Sequence, residues 1–366
     1  MSLDSPIRLL ALVPYPFDRA ASQRYRIEQW RPRMERLGIT CEFVPFEDEA
    51  LYDVMERPGA WTRKTSGLIG AVLRRWTVLR HLDDWDVVFL HREAMIIGPA
   101  LLEPLVARRR PVVFDFDDAI WMPRANPMNP IARFLKFQGK TAAITRMTTA
   151  VIAGNKYLAS WARSFNPRVH VVPSTIETTG DYARQKTHHE TNRPIIGWSG
   201  SYSTIQYLAG IRPMLQALRK SMDFTLRVIC NGPPVRWPEL DLEWRQWSSA
   251  SEVADLVDFD VGLMPQPDDA WTRGKCGMKA LQYMALGIPP VASRNGVLPE
   301  IIADGRNGRL ADTPETWLTC LKSLAADWES RAAMGAEARR TVEDRFSAAF
   351  HAPRVAEIVR GVALRS

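Results

Sequence analysis

A repeated pattern of short apolar runs, each ending in polar residues, most constrains what this chain can fold into. In the first half these runs are 7–13, 41–46, 86–90, 111–116, 151–155 and 169–172. They lack strict apolar–polar alternation, which is typical of parallel strands buried on both faces. Because other segments long enough for helices separate the runs, the pattern predicts a doubly wound parallel α/β sheet.

The pattern stops and then restarts, which predicts two domains. Residues 179–193 are polar, lack apolar periodicity and are predicted to form a linker. Further apolar runs follow at 194–198, 225–230, 260–264 and from 289 onward. Since 366 residues exceed one comfortable core, we expect an N-terminal Rossmann-like domain over 1–178 and a C-terminal one over 194–348.

The segment 273–293, RGKCGMKALQYMALGIPPVAS, reads as loop, helix, tight turn and buried strand. Apolar residues recur at helical spacing from 278 to 285, and Gly287 supplies a left-handed residue after the helix. Lys275 and Lys279 bracket the helix start, where unpaired N–H groups already carry partial positive charge. A bound phosphate or diphosphate explains two cations there; the alternative is that they reach solvent or pair with Asp268 and Asp269.

This segment, together with GVLPEIIADGRNGRL at 296–310, resembles the C-terminal signature of a glycosyltransferase family. The family is the retaining family 4, also called glycosyl transferases group 1, whose members have the GT-B fold. The resemblance implies two Rossmann-like domains facing across a cleft, with the donor in the C-terminal domain and the acceptor in the N-terminal one. It also implies a final helix, 349–366, that crosses back to the N-terminal domain.

The chain departs from the family pattern at two positions, because Gly274 and Gln282 stand where relatives have glutamates. The resemblance implies that Lys275 and Lys279 are catalytic and take the charge of the departing diphosphate. It implies that Gln282 binds the ribose in place of glutamate. The full set of donor-binding positions is Gly200, Ser201, Gly232, Arg273, Cys276, Gly277, Gln282 and Glu300. Trp247 is a candidate for stacking on the base, with a core or surface role as the alternative.

The loop after the first strand carries candidate acceptor residues. Ser22 is expected to cap a helix whose first turn presents Arg24 and Arg26. By the resemblance these residues face the cleft, as do His91 and Arg92 at the end of a later strand. The alternative is an ordinary solvated arginine face.

An acidic cluster ends the strand 111–116. Ligands of open parallel sheets bind beyond the carboxyl ends of strands, so Asp117 and Asp118 are well placed for catalysis. In the resembled family a histidine commonly aligns with Asp117, close to the donor sugar. A carboxylate there can accept sugar hydroxyls or the acceptor's proton. The alternative, stronger for Asp115, is that an acid caps the next helix or pairs with Arg92 or Arg133.

Residues 61–82 suggest a possible membrane contact. Residues 1–178 carry a net charge of +6 against +1 for the rest of the chain. A helix here would place Leu68, Ile69, Val72, Leu73, Trp76 and Leu79 on one face and gather Arg63, Lys64, Arg74, Arg75 and Arg80 elsewhere. Such a helix can lie on an anionic membrane, or it can pack on the sheet with a charged outer face.

Other features bound the compartment and the cofactors. No signal-peptide pattern and no run of about 18 apolar residues occurs, so we expect a cytoplasmic protein, with the inner membrane face as a possible location. The cysteines Cys41, Cys230, Cys276 and Cys320 lack metal-site or disulfide spacing. We therefore expect no metal and no other cofactor, and no nucleic-acid partner.

Two functions remain open. The first is a glycosyltransferase that moves a sugar from a nucleotide-diphosphate donor to a glycan, a lipid-linked acceptor or a cell-surface polysaccharide precursor, with retained configuration. The second is a non-catalytic GT-B protein that binds a nucleotide or a partner, which the two missing glutamates favour.

Overall fold

The computed structural model describes residues 6–55, 59–122, 137 and 139–364, and the chain divides into two compact units. Unit 1 comprises Met1–Ser174 and His351–Ser366, and unit 2 comprises Thr175–Phe350. Arg133 lies outside the described residues.

Unit 1 contains a six-stranded sheet in the order β2-β1-β3-β4-β5-β6, with every pair parallel. The strands are β1 Ile7–Val13, β2 Ile39–Pro45, β3 Val87–His91, β4 Val112–Phe116, β5 Ala150–Ala153 and β6 Val169–Val171. Each coincides with a predicted apolar run to within about two residues. Among the described residues before 174, the α-helices are α1 Ala21–Gln23, α2 Gln29–Arg36, α3 Glu49–Met55, α4 Trp61–Thr77, α5 Leu102–Ala107, α6 Lys140–Met147 and α7 Lys156–Arg163.

Unit 2 contains a second parallel sheet, in the order β12-β11-β10-β7-β8-β9. Its strands are β7 Ile195–Gly200, β8 Thr225–Cys230, β9 Leu242–Gln246, β10 Val261–Met264, β11 Pro290–Ser293 and β12 Arg309–Ala311. Its helices are α8 Ile205–Gly210, α9 Arg212–Arg219, α10 Glu252–Leu256, α11 Ala270–Arg273, α12 Met278–Ala285, α13 Leu298–Ile301, α14 Pro314–Ala326 and α15 Trp328–Arg345, and α16 Ala348–Ala363 follows. The predicted class, two doubly wound α/β sheets, is confirmed.

The two edge strands of the second sheet, β9 and β12, were missed by the sequence analysis. The sequence of β9, LEWRQ, is half polar and only partly buried, and β12 has three residues. An edge strand has one strand neighbour and an open side, so its sequence need not be a continuous apolar run.

A break separates the helices α14 and α15. The break is at Asp327, whose side chain accepts from the Ser330 amide and begins α15. Gly335 lies inside α15, where a Cβ would come within 2.0 Å of the Gly287 carbonyl oxygen. The glycine therefore serves close packing between the helix and the turn after α12.

The polar segment 179–193 lies within unit 2. Tyr182 and His188 are buried, and His188 Nε2 lies 2.9 Å from the Gly287 carbonyl oxygen. Lys186 Nζ lies 3.2 Å from Asp260, at the start of β10. Polar composition here reflects side chains that bind the body of the unit.

Candidate functional site

Lys279 lies in the first turn of α12, against the end of β7. Its Nζ is 4.6 Å from the centre of the Trp198 ring and donates to Thr204 Oγ1 at 3.4 Å. Burial, and then the charge of Lys275, lower the pKa of Lys279 to about 7. An aromatic ring and a hydroxyl carry no net negative charge, so these contacts leave the cation without a counter-charge.

Asp268 and Asp269, the acids considered as partners of the two lysines, bind other groups. Arg273 donates to both carboxylate oxygens of Asp268, at 2.9 and 3.1 Å. Asp269 caps α11 by accepting from the Thr272 amide at 2.7 Å. Lys275 Nζ lies 4.9 Å from the centre of the Trp271 ring. Arg273 is exposed, and its guanidinium is held by Asp268.

Glycines keep the backbone close to the two lysines. A Cβ on Gly200 would come within 2.7 Å of Lys279 Nζ and 2.6 Å of the Trp198 ring. Gly277 precedes α12 with φ +71°, and a Cβ there would meet Ile301 at 2.4 Å. Both positions therefore require glycine for packing, and the second also for its left-handed backbone.

The turn after β7 is braced from β8. The Tyr202 ring lies on Gly232, where a Cβ would come within 2.3 Å of it, and the Tyr202 amide donates to Asn231 Oδ1 at 3.0 Å. Ser201 is exposed, and its Oγ lies 2.9 Å from Ser203 Oγ. The predicted residues Gly200, Ser201 and Gly232 thus surround one turn.

The other predicted donor residues have different surroundings. Gln282 is buried and donates to Tyr182 Oη at 2.9 Å, while Trp247 Nε1 donates to Glu252 at 3.0 Å. Cys276 is buried, whereas Glu300 is exposed and its carbonyl oxygen accepts from Arg345. Contacts of Gln282 with a ribose and of Trp247 with a base stay predictions.

Arg26 does not lie on a surface, so its expected position in the first turn of an exposed helix is wrong. The segment Arg24–Glu28 forms a π-type turn in which Arg26 has φ −131° and ψ −112°. This local break sends the side chain into the core, where Arg26 Nε lies 2.9 Å from both carboxylate oxygens of Asp115. Both side chains are fully buried, and the pairing compensates the charge that burial would otherwise penalise.

Ser22 does not cap a helix, because α1 begins after Ala20 and has no side-chain cap. Ser22 Oγ instead lies 3.2 Å from His91 Nε2 and accepts from Arg92 Nη1 at 3.3 Å. Arg24 is partly buried, with its Nε 2.7 Å from Asp18. The structure thus brings four predicted residues together: Ser22, Arg26, His91 and Arg92. Asp115 links Arg26 to His91.

Asp117 and Asp118 directly follow β4. Asp117 is buried, Asp118 is partly exposed, and burial together with the charge of Asp118 raises the pKa of Asp117 above its usual range. Arg92 and His91 act in the opposite direction. A carboxyl group with a raised pKa beside an ionisable neighbour is a candidate for proton transfer.

Three residues at these places were missed by the sequence analysis. They are Trp198 beneath Lys279, Thr204 beside it, and Gln23, which binds the loop before Ser22. The sequence places Trp198 in a strand. Its position two residues before Gly200, in the predicted phosphate turn, was the available signal. Gln23 gave no signal, because its contacts depend on the loop conformation.

Within the described residues, no group of three or more His, Cys, Asp or Glu side chains is arranged to hold a metal ion. The four cysteines are buried, and none of them forms a disulfide. Over the same part of the chain, no helix combines the length and apolarity needed to cross a membrane.

Comparisons with known proteins agree with the resemblance. Residues 270–341 match the model of the family Glycosyl transferases group 1. Over 205 residues the chain is 29% identical to D-inositol 3-phosphate glycosyltransferase of Corynebacterium kroppenstedtii, covering 49% of this chain and 44% of the relative. It is 33% identical over 171 residues to GDP-mannose-dependent alpha-(1-6)-phosphatidylinositol monomannoside mannosyltransferase of Mycolicibacterium smegmatis, covering 41% and 43%. The chain thus spans less than half the length of these curated relatives.

The fold is similar over nearly the whole chain to a solved structure. Sucrose-phosphate synthase from Thermosynechococcus elongatus superposes with a TM-score of 0.69 at 12% identity, covering 98% of this chain and 100% of that one. This likeness confirms the predicted GT-B fold, and the family match confirms the predicted resemblance.

Proposed function

We propose that this protein is a glycosyltransferase that moves a sugar from a nucleotide-diphosphate donor to an acceptor bound by unit 1. The observation that carries the proposal is Lys279, a cation whose contacts are a ring and a hydroxyl beside the glycine turn after β7. A diphosphate supplies the missing counter-charge, and Lys275 and the α12 amides add to its binding.

Lys279 and Lys275 then stabilise the leaving group. As the bond between the sugar and the diphosphate breaks, negative charge grows on the phosphate oxygens, and cations already in place stabilise it without reorganisation. The reaction as proposed retains the anomeric configuration and needs no metal. Product NMR and activity in excess EDTA test these two points: an inverted anomeric centre contradicts the first, and activity restored only by a divalent cation contradicts the second.

Thermal-shift screening tests the donor class. UDP, GDP, ADP and their common sugars are compared, since a ligand at 100 times its Kd stabilises the folded protein by about 2.7 kcal/mol. We expect one base to stand out, with the shift lost in Lys279→Met. No shift with any nucleotide would contradict the proposal.

A non-catalytic nucleotide- or partner-binding protein is the second candidate. The favouring observation is that Gly274 and Gln282 replace the family glutamates and that Gln282 is buried against Tyr182. The two candidates separate on turnover: an enzyme releases nucleoside diphosphate from its donor, and Asp117→Asn slows release more than it weakens binding. Binding without release under any acceptor would favour the second candidate.

We also propose that the acceptor is built at an anionic membrane and that α4 contacts it. Trp61, Ile69 and Leu73 on this helix are 55%, 58% and 64% exposed. Apolar side chains that project beside exposed arginines are suited to such a surface. The exposure of Ile69 and Leu73 disagrees with the alternative in which this apolar face packs on the sheet.

The basic side of α4 is smaller than the sequence suggests. Lys64 is buried, and Arg75 is buried and donates to the carbonyl oxygens of Val44 and Val13 at 2.8 Å. Arg74 pairs with Asp48. The sharper test is therefore flotation with anionic liposomes of Ile69→Ser/Leu73→Ser against Phe350→Ser, an exposed residue of unit 2. We expect binding to fall only in the first variant and to weaken with salt; equal binding of all forms would remove the idea.

A further inference from the structure

A hydrogen-bonded chain at the carboxyl ends of neighbouring strands in unit 1 has no role in the function proposed so far. Ser22 follows β1, His91 ends β3, and the strand register pairs His91 with Asp115 of β4. Ser22 Oγ lies 3.2 Å from His91 Nε2, and His91 Nδ1 lies 2.7 Å from Asp115 Oδ2. A hydroxyl, an imidazole and a carboxylate in this order form the arrangement that activates hydroxyl groups in enzymes.

The carboxylate of Asp115 determines where the protons of this hydrogen-bonded series lie. Burial opposes ionisation of Asp115, but Arg26 and His91 outweigh it and hold the pKa of Asp115 below its usual range. An ionised carboxylate only accepts hydrogen bonds, so His91 carries a proton on Nδ1, and in the neutral imidazole Nε2 is then an acceptor. Arg92 donates to Ser22 Oγ, and the Ser22 hydroxyl proton is therefore directed to His91.

The hydrogen-bonded series is buried at Asp115 and His91 and accessible at Ser22. His91 and Asp115 are fully buried, whereas Ser22 is partly exposed. The neighbouring Gln23 is buried and binds the loop, donating to the Tyr15 carbonyl at 2.9 Å and to Glu28 at 2.6 Å. The arrangement therefore holds one polarised hydroxyl where a ligand of unit 1 can reach it.

We propose that Ser22 is the catalytic group that binds the acceptor hydroxyl and passes its proton to His91, an inference that rests on the function proposed above. The acceptor proton moves to Ser22 Oγ as the Ser22 proton moves to His91 Nε2. The freed electron pair of the acceptor oxygen forms the bond to the sugar C1 on the same face that the diphosphate leaves, so that the configuration is retained. The bond from C1 to the diphosphate oxygen breaks, and its electron pair leaves with the diphosphate.

His91 and Asp115 are positioning and relay groups in this scheme, and Arg26 holds the carboxylate. Charged groups that face or influence His91 are Asp115 and Asp117 from the end of β4, Arg26 from the turn before α2, and Arg92 beside it. A protonated imidazole cannot take a further proton. Transfer through the relay therefore requires the neutral imidazole and should fall at acidic pH.

The first test compares Ser22→Ala and Ser22→Thr with Ser160→Ala, an exposed serine on α7. Release of nucleoside diphosphate from UDP-glucose and GDP-mannose is followed from pH 5 to 9, with water and a panel of alkyl glycosides as acceptors. We expect Ser22→Ala to lower kcat about 100-fold, the scale of general base catalysis, and to lose the acidic limb of the pH profile. Donor KM should stay unchanged, and Ser22→Thr should retain most activity.

Full activity of Ser22→Ala, or an unchanged pH profile, would overturn the inference and leave the proposed function intact. A wild-type protein that shows no nucleotide thermal shift and no release would overturn both. The second test needs no turnover: nitrogen-15 NMR of His91 should show the Nδ1–H tautomer, with the Nε2 resonance shifted in Ser22→Ala but not in Ser160→Ala. The opposite tautomer would also overturn the relay.

Discussion

Two polar clusters of this protein differ in how their buried charge is compensated. In unit 1, Arg26 and Asp115 neutralise each other beneath His91, with both side chains fully buried. In unit 2, Lys279 lies against Trp198 and Thr204, and its pKa is lowered to about 7. Arg26 and Asp115 therefore form a scaffold that positions His91, whereas the contacts of Lys279 leave its charge to be compensated by the anion that we propose binds there.

Breaking the matched pair should have the largest effect. Asp115→Asn leaves the Arg26 guanidinium buried without its carboxylate, and loss of one partner of a buried pair costs about 3–5 kcal/mol. Because the pKa of Asp115 is lowered on folding, its contribution is complete above about pH 4 and is lost as the pH falls below that. The free energy of unfolding from urea titrations at pH 7 measures the loss.

The control for this pair is Arg24→Ala. Arg24 pairs with Asp18, whose side chain is 53% exposed, and such pairs contribute less than about 1 kcal/mol. If Asp115→Asn lowered the free energy of unfolding no more than Arg24→Ala does, the buried pair would contribute no more to stability than a partly exposed one.

This contrast also shows how much of the molecule could be predicted from sequence. Ten of the twelve described strands and α12 follow from local apolar spacing, whereas the edge strands β9 and β12 do not. Lys275 and Lys279 stand out because they are four residues apart at a helix start. The pairing of Arg26 with Asp115 joins residues 89 positions apart and depends on a π-type turn that has no sequence signature. Ser22 was selected for helix capping, a local role, because its contact with His91 exists only once the sheet is assembled.

Replacing Lys275 or Lys279 tests the cluster of unit 2, where we propose that the donor binds. Lys275→Ala and Lys279→Met should each weaken nucleoside diphosphate binding by about 1.5–3 kcal/mol, the range for hydrogen bonds to charged groups. Calorimetric titration at fixed salt measures this, with Arg193→Ala as control, because this exposed arginine of unit 2 pairs with Asp241 outside the predicted site. Unchanged affinity in both lysine variants would remove the donor-site assignment.

Lys279→Met should also stabilise the protein without ligand, in a pH-dependent way. The folded chain releases the Lys279 proton near pH 7, and the unfolded chain near pH 10.4. Wild-type stability therefore rises with pH across this window, and the charge costs most below pH 7. We expect Lys279→Met to gain about 1–2 kcal/mol at pH 6 and little at pH 10. Thermal unfolding with Lys322→Met, an exposed lysine of α14, as control measures this; an equal gain at both pH values would contradict it.

Asp117 tests how a buried acid with a raised pKa affects stability beside the Arg26–Asp115 pair. Its pKa is raised by burial and by Asp118, so ionisation disfavours folding once the pH exceeds the usual value near 3.9. Asp117→Asn should therefore raise the free energy of unfolding at pH 7 by about 1 kcal/mol, with no gain at pH 3, while turnover falls. The partly exposed neighbour gives the control, because Asp118→Asn should change stability by less than about 0.5 kcal/mol. A destabilised Asp117→Asn protein would mean that Arg92 and His91 compensate this carboxylate as fully as Arg26 compensates Asp115, and Asp117 would then belong to the scaffold.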